Sequence, residues 1–268
     1  MMIRFSLSVF ILFTLQLSLF AQDSTAVNWN QLDENGLKVG KWQANYQSGS
    51  RRYVGQFENG KPFGVFKYYF PSGELQTVLE YFDREGRQAF ATLYYHTGEK
   101  MAEGWYLDQK KDSTWKTFGA NETILSEGAY YQGEKYGLWK TYYPNGVLAE
   151  ELYFQNDYEH GPMKTYFDNG KLKQEANFEN GFLNGLSIQY DPQGKKIIKG
   201  IYYKGARDKN WVYYKDLEVD KVLEYDKGKL LNPEVLPETD GDSLMNSIRN
   251  NRKDYLEFED LRGKIKYE

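Results

Sequence analysis

The sequence contains no cysteine and only two histidines among its 268 residues. The absence of cysteine excludes disulfide bonds, thiol nucleophiles, cysteine–zinc sites and attachment of a lipid to an N-terminal cysteine. The two histidines, His96 and His160, occupy different positions of the repeat described below, and neither has an acidic partner at a fixed spacing. We therefore expect both to be solvated loop residues rather than a catalytic base or a metal ligand.

Other signals of chemistry are also missing from the chain. The formal net charge is −4, and no stripe of lysine and arginine is present, which argues against nucleic acid as a partner. The sequence has no glycine-rich phosphate loop opening a helix, no nucleophile elbow and no metal-ligand spacing. We therefore predict that the protein is not an enzyme and has no catalytic residue, metal site or cofactor.

One long apolar run is present, at the N-terminus. Arg4 is the only charged residue before Asp23, residues 5–20 are nearly all apolar, and the small residue Ala21 follows. This pattern is typical of a secretory signal peptide. The alternative, a membrane anchor, needs about 20 apolar residues. We predict a signal peptide over residues 1–21, a periplasmic or extracellular location, and no stable membrane insertion after cleavage.

Aromatic residues are abundant, with 24 Tyr, 16 Phe and 6 Trp, and they recur at a regular interval. Equivalent positions lie 24 residues apart, with one step of 25, which indicates about eight copies of a repeating unit. Aromatic residues favour strands, so each unit is predicted to be a β-hairpin. The clearest column of equivalent positions is Trp42, Phe66, Ala91, Trp115, Trp139, Met163, Ser187 and Trp211.

The hairpin turns predict the register of the strands. Asn145 and Gly146 are typical of a two-residue turn in which both central residues have positive φ. Such a turn places Trp139 opposite Leu152. The same counting places oppositely charged residues across from each other in three hairpins, which supports the register: Lys116 and Glu127, Lys140 and Glu151, Lys164 and Glu175.

Some rings of the first column face a glycine in this register. Trp42 is opposite Gly55, and Trp115 is opposite Gly128. An aromatic ring can cover the bare backbone of a strand glycine on the neighbouring strand. We therefore expect each of these rings to cover the glycine that it faces.

Alternation along the strands assigns two faces to the sheet. The tryptophan face, predicted to be the core, carries the columns of Trp139, Tyr143, Leu148 and Phe154. The tyrosine face carries Lys140, Glu151 and a column of tyrosines. A tyrosine presents a flat apolar ring and a hydroxyl, which suits peptide or sugar recognition. The alternative is that these rings only shield the sheet. The predicted binding residues are Tyr69, Tyr94, Tyr142, Tyr166, Tyr190 and Tyr214.

An acidic column on the tyrosine face allows two interpretations. Its members are expected about 10 Å apart, too far for one cation and near the upper limit for the paired carboxylates of a glycosidase. Lysines opposite three of them favour solvated ion pairs instead. The column is Glu103, Glu127, Glu151 and Glu175.

These patterns predict an all-β repeat meander that forms one elongated, twisted antiparallel sheet. A flexible lead is expected over residues 22–35, the repeats over 36–226, and a linker with a C-terminal tail over 227–268. The tail contains Leu244, Tyr255 and Phe258. It could cap the last strand, fold over an aromatic face or bind a partner.

Two segments resemble the MORN repeat (membrane occupation and recognition nexus): residues 55–66, with the sequence GQFENGKPFGVF, and residues 130–139, with the sequence YYQGEKYGLW. Residues 166–170, YFDNG, resemble its bacterial variant, which is often labelled antitoxin-like. The resemblance covers about residues 36–226, with departures at Ala91, Met163, Ser187 and Glu122. An antitoxin normally meets its toxin in the cytoplasm, which fits an exported chain poorly.

The resemblance implies strings of β-hairpins that act as interaction modules. We therefore expect a non-enzymatic protein-interaction or scaffold module of the cell envelope or exterior, whose partner is a protein or an extended polymer such as a peptide or glycan. The alternatives are a lipid-binding protein of the membrane surface, against which the lack of basic clusters argues, and a carbohydrate-binding or carbohydrate-active protein. The sequence leaves the oligomeric state open.

Overall fold

A computed structural model describes residues 27–235 of the protein. The predicted signal peptide, the first part of the predicted lead and nearly all of the predicted tail lie outside the described residues. Within them, 19 strands form a single antiparallel sheet. The first strand lies in the second half of the predicted lead, and the last strand lies just beyond the predicted repeats.

The strands and two short 3-10 helices have the following bounds. The strands are β1 (Gln31–Leu32), β2 (Lys38–Asn45), β3 (Arg51–Glu58), β4 (Lys61–Tyr69), β5 (Leu75–Tyr81), β6 (Gln88–Tyr94), β7 (Lys100–Leu107), β8 (Lys110–Phe118), β9 (Ile124–Tyr131), β10 (Glu134–Tyr142), β11 (Leu148–Gln155), β12 (Tyr158–Tyr166), β13 (Leu172–Glu179), β14 (Phe182–Leu183), β15 (Gly185–Tyr190), β16 (Lys196–Tyr203), β17 (Ala206–Lys215), β18 (Glu218–Asp226) and β19 (Lys229–Leu230). The 3-10 helices are Ala120–Glu122 and Pro233–Val235.

Strands that follow one another in the chain pair antiparallel throughout the sheet. The exception is the pair β14 and β15, which do not pair with each other; both pair with β13, on either side of Asn184. The predicted all-β repeat meander is therefore confirmed. Such a sheet places the 24-residue repeats side by side, so each repeat contacts mainly its neighbours.

The predicted register is confirmed, but the predicted turn is wrong. Trp139 pairs with Leu152, and Lys140 pairs with Glu151. The loop, however, contains three residues, 144–146, and only Gly146 has positive φ, of 81°. The backbone N–H of Tyr143 donates to the carbonyl of Val147 at 2.8 Å and closes this loop. A type I turn followed by a left-handed residue has this form.

A bulge restores the register that the longer loop would shift. Tyr142 pairs with Leu148, whereas Thr141 pairs with Glu150, so Ala149 is the extra residue. One added loop residue and one bulged residue cancel, and the predicted pairs beyond the bulge are preserved. Because paired residues share a face, the bulge also moves Leu148 to the face of Tyr142, contrary to the prediction that placed its column on the tryptophan face.

The two-residue turns lie instead at the connectors between repeats. Asn59 and Gly60 have φ of 51° and 78°, and β4 begins at the next residue. Asn180 and Gly181 repeat this geometry, with φ of 51° and 81°. Positive φ at both central residues defines the type I′ turn, whose twist matches that of the strands it joins. Apart from residues 82–87, between β5 and β6, each connector is therefore a tight hairpin, and the sheet continues through it.

Packing on the tryptophan face follows a rule that corrects the predicted ring contacts. Gly128 pairs with Trp115, as expected, but a Cβ atom at Gly128 would overlap the indole of Trp139 on the following strand. Gly104 lies under Trp115 in the same way, and Gly200 lies under Trp211. Each ring therefore covers the glycine of the preceding strand.

The same rule explains the departures at Ala91 and Met163 from the tryptophan column. Ala91 pairs with Leu79, and Met163 pairs with Leu152, so a smaller residue in the column accompanies a larger one at the glycine position. Ala91 is fully buried. Because close packing resists both cavities and overlaps, the two positions must change size together.

Each indole also satisfies a carbonyl where the strand pairing is interrupted. The Nε1–H of Trp115 donates to the carbonyl of Trp105 at 2.8 Å, beside the register shift after Gly104. Trp211 donates in the same way to Ile201 at 3.1 Å. Each of these indoles thus covers the glycine of the preceding strand and donates a hydrogen bond to a carbonyl of that strand.

Asparagine side chains cover part of both edges of the sheet. Asn30 accepts a hydrogen bond from the backbone N–H of Gln43 at 2.8 Å, on the outer side of β2. At the other end, Asn232 accepts from the N–H of Glu224 at 2.8 Å and donates to the carbonyl of Val222 at 3.0 Å. These hydrogen bonds occupy backbone N–H and carbonyl groups of the edge strands, to which a further strand could otherwise pair.

Candidate functional site

The predicted tyrosine column lies along one face of the sheet, near the three-residue turns. Its rings are half-buried rather than exposed. Tyr142 pairs with Leu148 and Tyr166 pairs with Leu172, so an aliphatic side chain lies beside each of these rings. The structure thus brings the members of the column onto successive repeats of one face: Tyr69, Tyr94, Tyr142, Tyr166, Tyr190 and Tyr214.

Three hydroxyls of the column donate hydrogen bonds to the acidic column. Each hydroxyl reaches back to a glutamate 15 residues earlier, on the preceding strand of the same face. A hydrogen bond to an ionised carboxylate is stronger than one between neutral groups. The bonds are Tyr142 to Glu127 at 2.7 Å, Tyr166 to Glu151 at 2.8 Å and Tyr190 to Glu175 at 2.6 Å.

These contacts raise the pKa of all three phenols to about 12, from an ordinary value of 10.0. For Tyr142 and Tyr166 the larger cause is burial, followed by the hydrogen bond to the glutamate. For Tyr190 the hydrogen bond to Glu175 comes first, followed by burial. Both causes disfavour a phenolate, so the hydroxyls remain donors at neutral pH.

Lysines and glutamates alternate in a continuous row across β7 to β13. Lys140 pairs with Glu127 on one side and Glu151 on the other, and its Nζ lies 4.0 Å from an Oε1 of Glu151. The predicted pairs of lysine and glutamate are confirmed. The carboxylates therefore face lysines and accept tyrosine hydroxyls, which makes them partners in one polar network. The row is Glu103, Lys116, Glu127, Lys140, Glu151, Lys164 and Glu175.

The outer members of the column have different surroundings. The ammonium of Lys196 lies 4.7 Å from the ring centroid of Tyr214, a cation–π contact. Lys100 lies 3.2 Å from the carboxylate of Glu103 and 4.9 Å from the ring of Phe118, which takes the place of a tyrosine in this column. Hydroxyl-to-glutamate bonds are thus found in the three repeats that have both a tyrosine and a glutamate 15 residues before it.

The most exposed aromatic side chains of the tyrosine face lie away from the tyrosine column. They lie at the opposite end of the strands, next to the connectors between repeats. Six aromatic side chains there, on β9 to β16, are between 40% and 64% exposed; Phe82, at the connector after β5, is also 56% exposed but packs against Trp105. We call these six the aromatic band. Its members are Tyr131, Tyr136, Tyr153, Tyr158, Phe182 and Tyr203.

Strand alternation places the band on the tyrosine face. Tyr153 pairs with Leu138, the neighbour of Trp139, and therefore points away from the tryptophan face. Tyr203 likewise follows Tyr202, which is buried against Trp211. The band and the tyrosine column thus lie on the same face of the sheet, at opposite ends of the hairpins.

The connectors support the rings of the band. The ring of Tyr158 lies over the turn at Gly181, where a Cβ atom would be 3.7 Å from its Cδ1. Phe182 lies over Gly205 in the same way, at 3.5 Å. A ring held against a turn keeps one side free, because the turn occupies only the other side. These rings are therefore presented to solvent in fixed positions.

Sequence reasoning missed the band because its positions do not repeat cleanly. The equivalent position reads Lys110, Glu134, Tyr158, Phe182 and Ala206 in successive repeats. A search for constant columns discards such a position. The signal that could have found it is an aromatic residue next to a connector turn, on the face assigned to lysine and glutamate.

The two histidines lie apart from each other. The ring of His96 stacks on Phe70 at the hairpin turns, with centroids 3.6 Å apart, and its Nδ1 lies 4.0 Å from Glu74. His160 is exposed and lies within β12 rather than in a loop. Among residues 27–235, no three His, Asp or Glu side chains are placed to hold a metal ion, and no helix is long and apolar enough to cross a bilayer.

Three stretches of the chain match the MORN repeat variant: residues 64–83, 135–156 and 159–180. The resemblance seen in the sequence is therefore confirmed at the level of the repeat, and the matching description does not name an antitoxin. No curated protein matches the chain.

Solved structures show only distant likeness. The chain is 13% identical to S. aureus TarM over 36% of its own length and 19% of that protein's, with a TM-score of 0.28. It is 10% identical to TcdB2-TccC3 over 72% and 15%, with a TM-score of 0.16. A Bacteroides fragilis protein of unknown function is 6% identical over 62% and 95%, with a TM-score of 0.12.

Proposed function

We propose that this chain, which contains MORN repeats of the variant type, is a non-enzymatic interaction or scaffold module that binds a partner through the tyrosine face of its sheet. The partner is a protein or an extended polymer. The aromatic band carries this proposal, because its rings are exposed on one face and two of them, Tyr158 and Phe182, rest on connector turns. Exposed aromatic side chains gathered on one face of a protein are typical of interaction sites.

The tyrosine column has a supporting role in this proposal. Its half-buried rings and hydroxyl bonds to glutamate hold the side chains of this face in ordered positions between the lysine–glutamate row and the turns. An ordered face loses little conformational entropy on binding. The column then positions the surface, and the band makes the contacts.

We place this activity in the cell envelope or outside the cell. The apolar run over residues 5–20, with Arg4 before it and Ala21 after it, supports export. The absence of cysteine does not oppose export, because the sheet packs its glycines against rings without needing disulfides.

Cross-linking in cell envelopes followed by mass spectrometry tests the proposal. The variant Tyr131→Ser/Tyr136→Ser/Tyr153→Ser removes half of the band without touching the buried core. We expect it to keep its circular dichroism spectrum and to lose the partner that the unaltered chain recovers. The matched control is Leu32→Ser/Leu217→Ser, which changes two residues that are 57% and 68% exposed but lie outside the band. Recovery of the same partner by the band variant would contradict the proposal.

A further inference from the structure

A hollow at one end of the aromatic band combines two exposed rings with four polar side chains. It lies between the connector at Asn180 and Gly181 and the next connector, at Lys204 and Gly205. The rings of Phe182 and Tyr203 are 56% and 44% exposed. The lining residues are Glu179, Asn180, Phe182, Asn184, Tyr203 and Lys204.

Two polar groups of the hollow, Glu179 and Asn184, are held in place before any ligand binds. The Nδ2–H of Asn184 donates to the carboxylate of Glu179. The backbone N–H of Asn184 donates to the carbonyl of Asn177 at 2.8 Å, which fixes the break between β14 and β15. The ring of Phe182 rests on Gly205. The hollow therefore presents one ring supported by a turn beside two linked hydrogen-bonding side chains, which lowers the entropy lost on binding.

The chemistry of the lining fits a sugar ring. A pyranose has an apolar face of C–H groups, which packs on an aromatic ring, and hydroxyls around its rim that need both donors and acceptors. The carboxylate of Glu179 accepts, the ammonium of Lys204 donates, and the side-chain amide of Asn180 does both. The charges of Glu179 and Lys204 have opposite sign, so the hollow has no net preference for a charged ligand.

The band extends the hollow in one direction along the sheet. Tyr158 lies on β12, two strand spacings or about 10 Å from Phe182 on β14. Tyr153 lies on β11, the strand before β12. Rings at such intervals follow an extended chain of sugar units rather than a single unit. They are separated by polar residues, unlike the continuous apolar centre of a protein–protein interface.

We infer that the hollow and the band bind a neutral polysaccharide, whose sugar rings stack on Phe182 and Tyr203 and whose hydroxyls bond to Glu179, Asn180 and Lys204. This inference rests on the proposed function and names the chemical class of its partner. The open form of the surface, without a closed pocket, suits binding within a polymer chain rather than at its end.

Affinity electrophoresis in native gels tests the inference with named probes. Each gel contains hydroxyethyl cellulose, galactomannan or mannan as a neutral polymer, or polygalacturonate as an anionic one. We expect at least one neutral polymer to retard the unaltered chain, and Phe182→Ala and Tyr203→Ala each to weaken that binding about three- to tenfold. Leu217→Ser, a control at an exposed residue outside the hollow, should bind as the unaltered chain does.

Three results would overturn the inference: no retardation by any neutral polymer, retardation by polygalacturonate alone, or unchanged binding by both ring variants. These results do not by themselves decide the proposed function. If envelope cross-linking recovers a protein partner that depends on Tyr131, Tyr136 and Tyr153 while no polysaccharide binds, the interaction module stands and its partner is a protein. If neither experiment detects a partner of the band, both proposals fail.

Discussion

At the scale of single residues, the fold depends on size matching between a glycine and the ring that covers it. Gly128 lies under Trp139, Gly104 under Trp115 and Gly200 under Trp211. The sequence shows both columns and their spacing. The sequence does not show that the ring covering a glycine comes from the following strand rather than from the preceding one. That choice depends on the direction in which the rings lean across the sheet.

The variant Gly128→Ala tests this match. A methyl group at this position overlaps the indole of Trp139, so we expect the free energy of unfolding to fall by about 1–3 kcal/mol. Urea denaturation measures the change. The double variant Gly128→Leu/Trp139→Met copies the pair Leu152 and Met163 and should recover most of the loss. A double variant no more stable than Gly128→Ala would contradict the rule.

The raised pKa values of the column predict how stability depends on pH. A phenol whose pKa is about 12 in the folded state and 10.0 when unfolded binds its proton more tightly in the folded state. Its contribution is therefore complete below pH 10 and is lost as the pH rises to about 12. Tyrosinate absorbance should show Tyr142, Tyr166 and Tyr190 ionising last. Tyr166→Phe should remove one late-titrating group, and an unchanged titration would contradict the assignment.

At the scale of strands and turns, two deviations compensate each other. The turn at residues 144–146 is one residue longer than predicted, and the bulge at Ala149 adds one residue to the next strand. Register could be predicted because the charge pairs constrain it. The turn type could not, since Asn-Gly is compatible with both loop lengths and the twist of the sheet selects between them.

The hydrogen bonds of Asn232 to an edge strand predict an effect on self-association. Asn232 takes up the N–H of Glu224 and the carbonyl of Val222 on β18. We expect Asn232→Ala to free these groups and to increase concentration-dependent association, measured by sedimentation velocity, because an open strand edge pairs with other chains. Asn35→Ala, at an exposed turn residue, is the control. Equal association of the two variants would show that Asn232 does not protect the edge.

At the scale of the whole molecule, the buried residues form three clusters along the sheet rather than one core. The first surrounds Phe66 and Trp115, the second Leu152 and Met163, and the third Trp211 and Leu223. Stability in a repeat protein is approximately a sum of local terms and contacts between neighbours. Damage to one cluster should therefore remain local.

Hydrogen exchange of a Trp211→Ala variant tests this expectation. Trp211 is fully buried, and its loss removes the centre of the third cluster. We expect faster amide exchange in β16 to β18, with a local loss of about 3–5 kcal/mol, and unchanged exchange in β3 to β8. Uniformly faster exchange over the whole sheet would show a single cooperative unit instead. Circular dichroism should still report a β-rich chain.

The sequence by itself determined the repeat, the strand register, the two faces and the alternating row of charge. Each follows from the alternation of side chains along a strand and from the 24-residue repeat, and both can be read from the sequence alone. Tertiary structure alone decided which rings are exposed. Tyr142 is half-buried because its neighbours on adjacent strands surround it and Glu127 accepts its hydroxyl. Tyr158 is 64% exposed because a connector turn supports only one side of its ring.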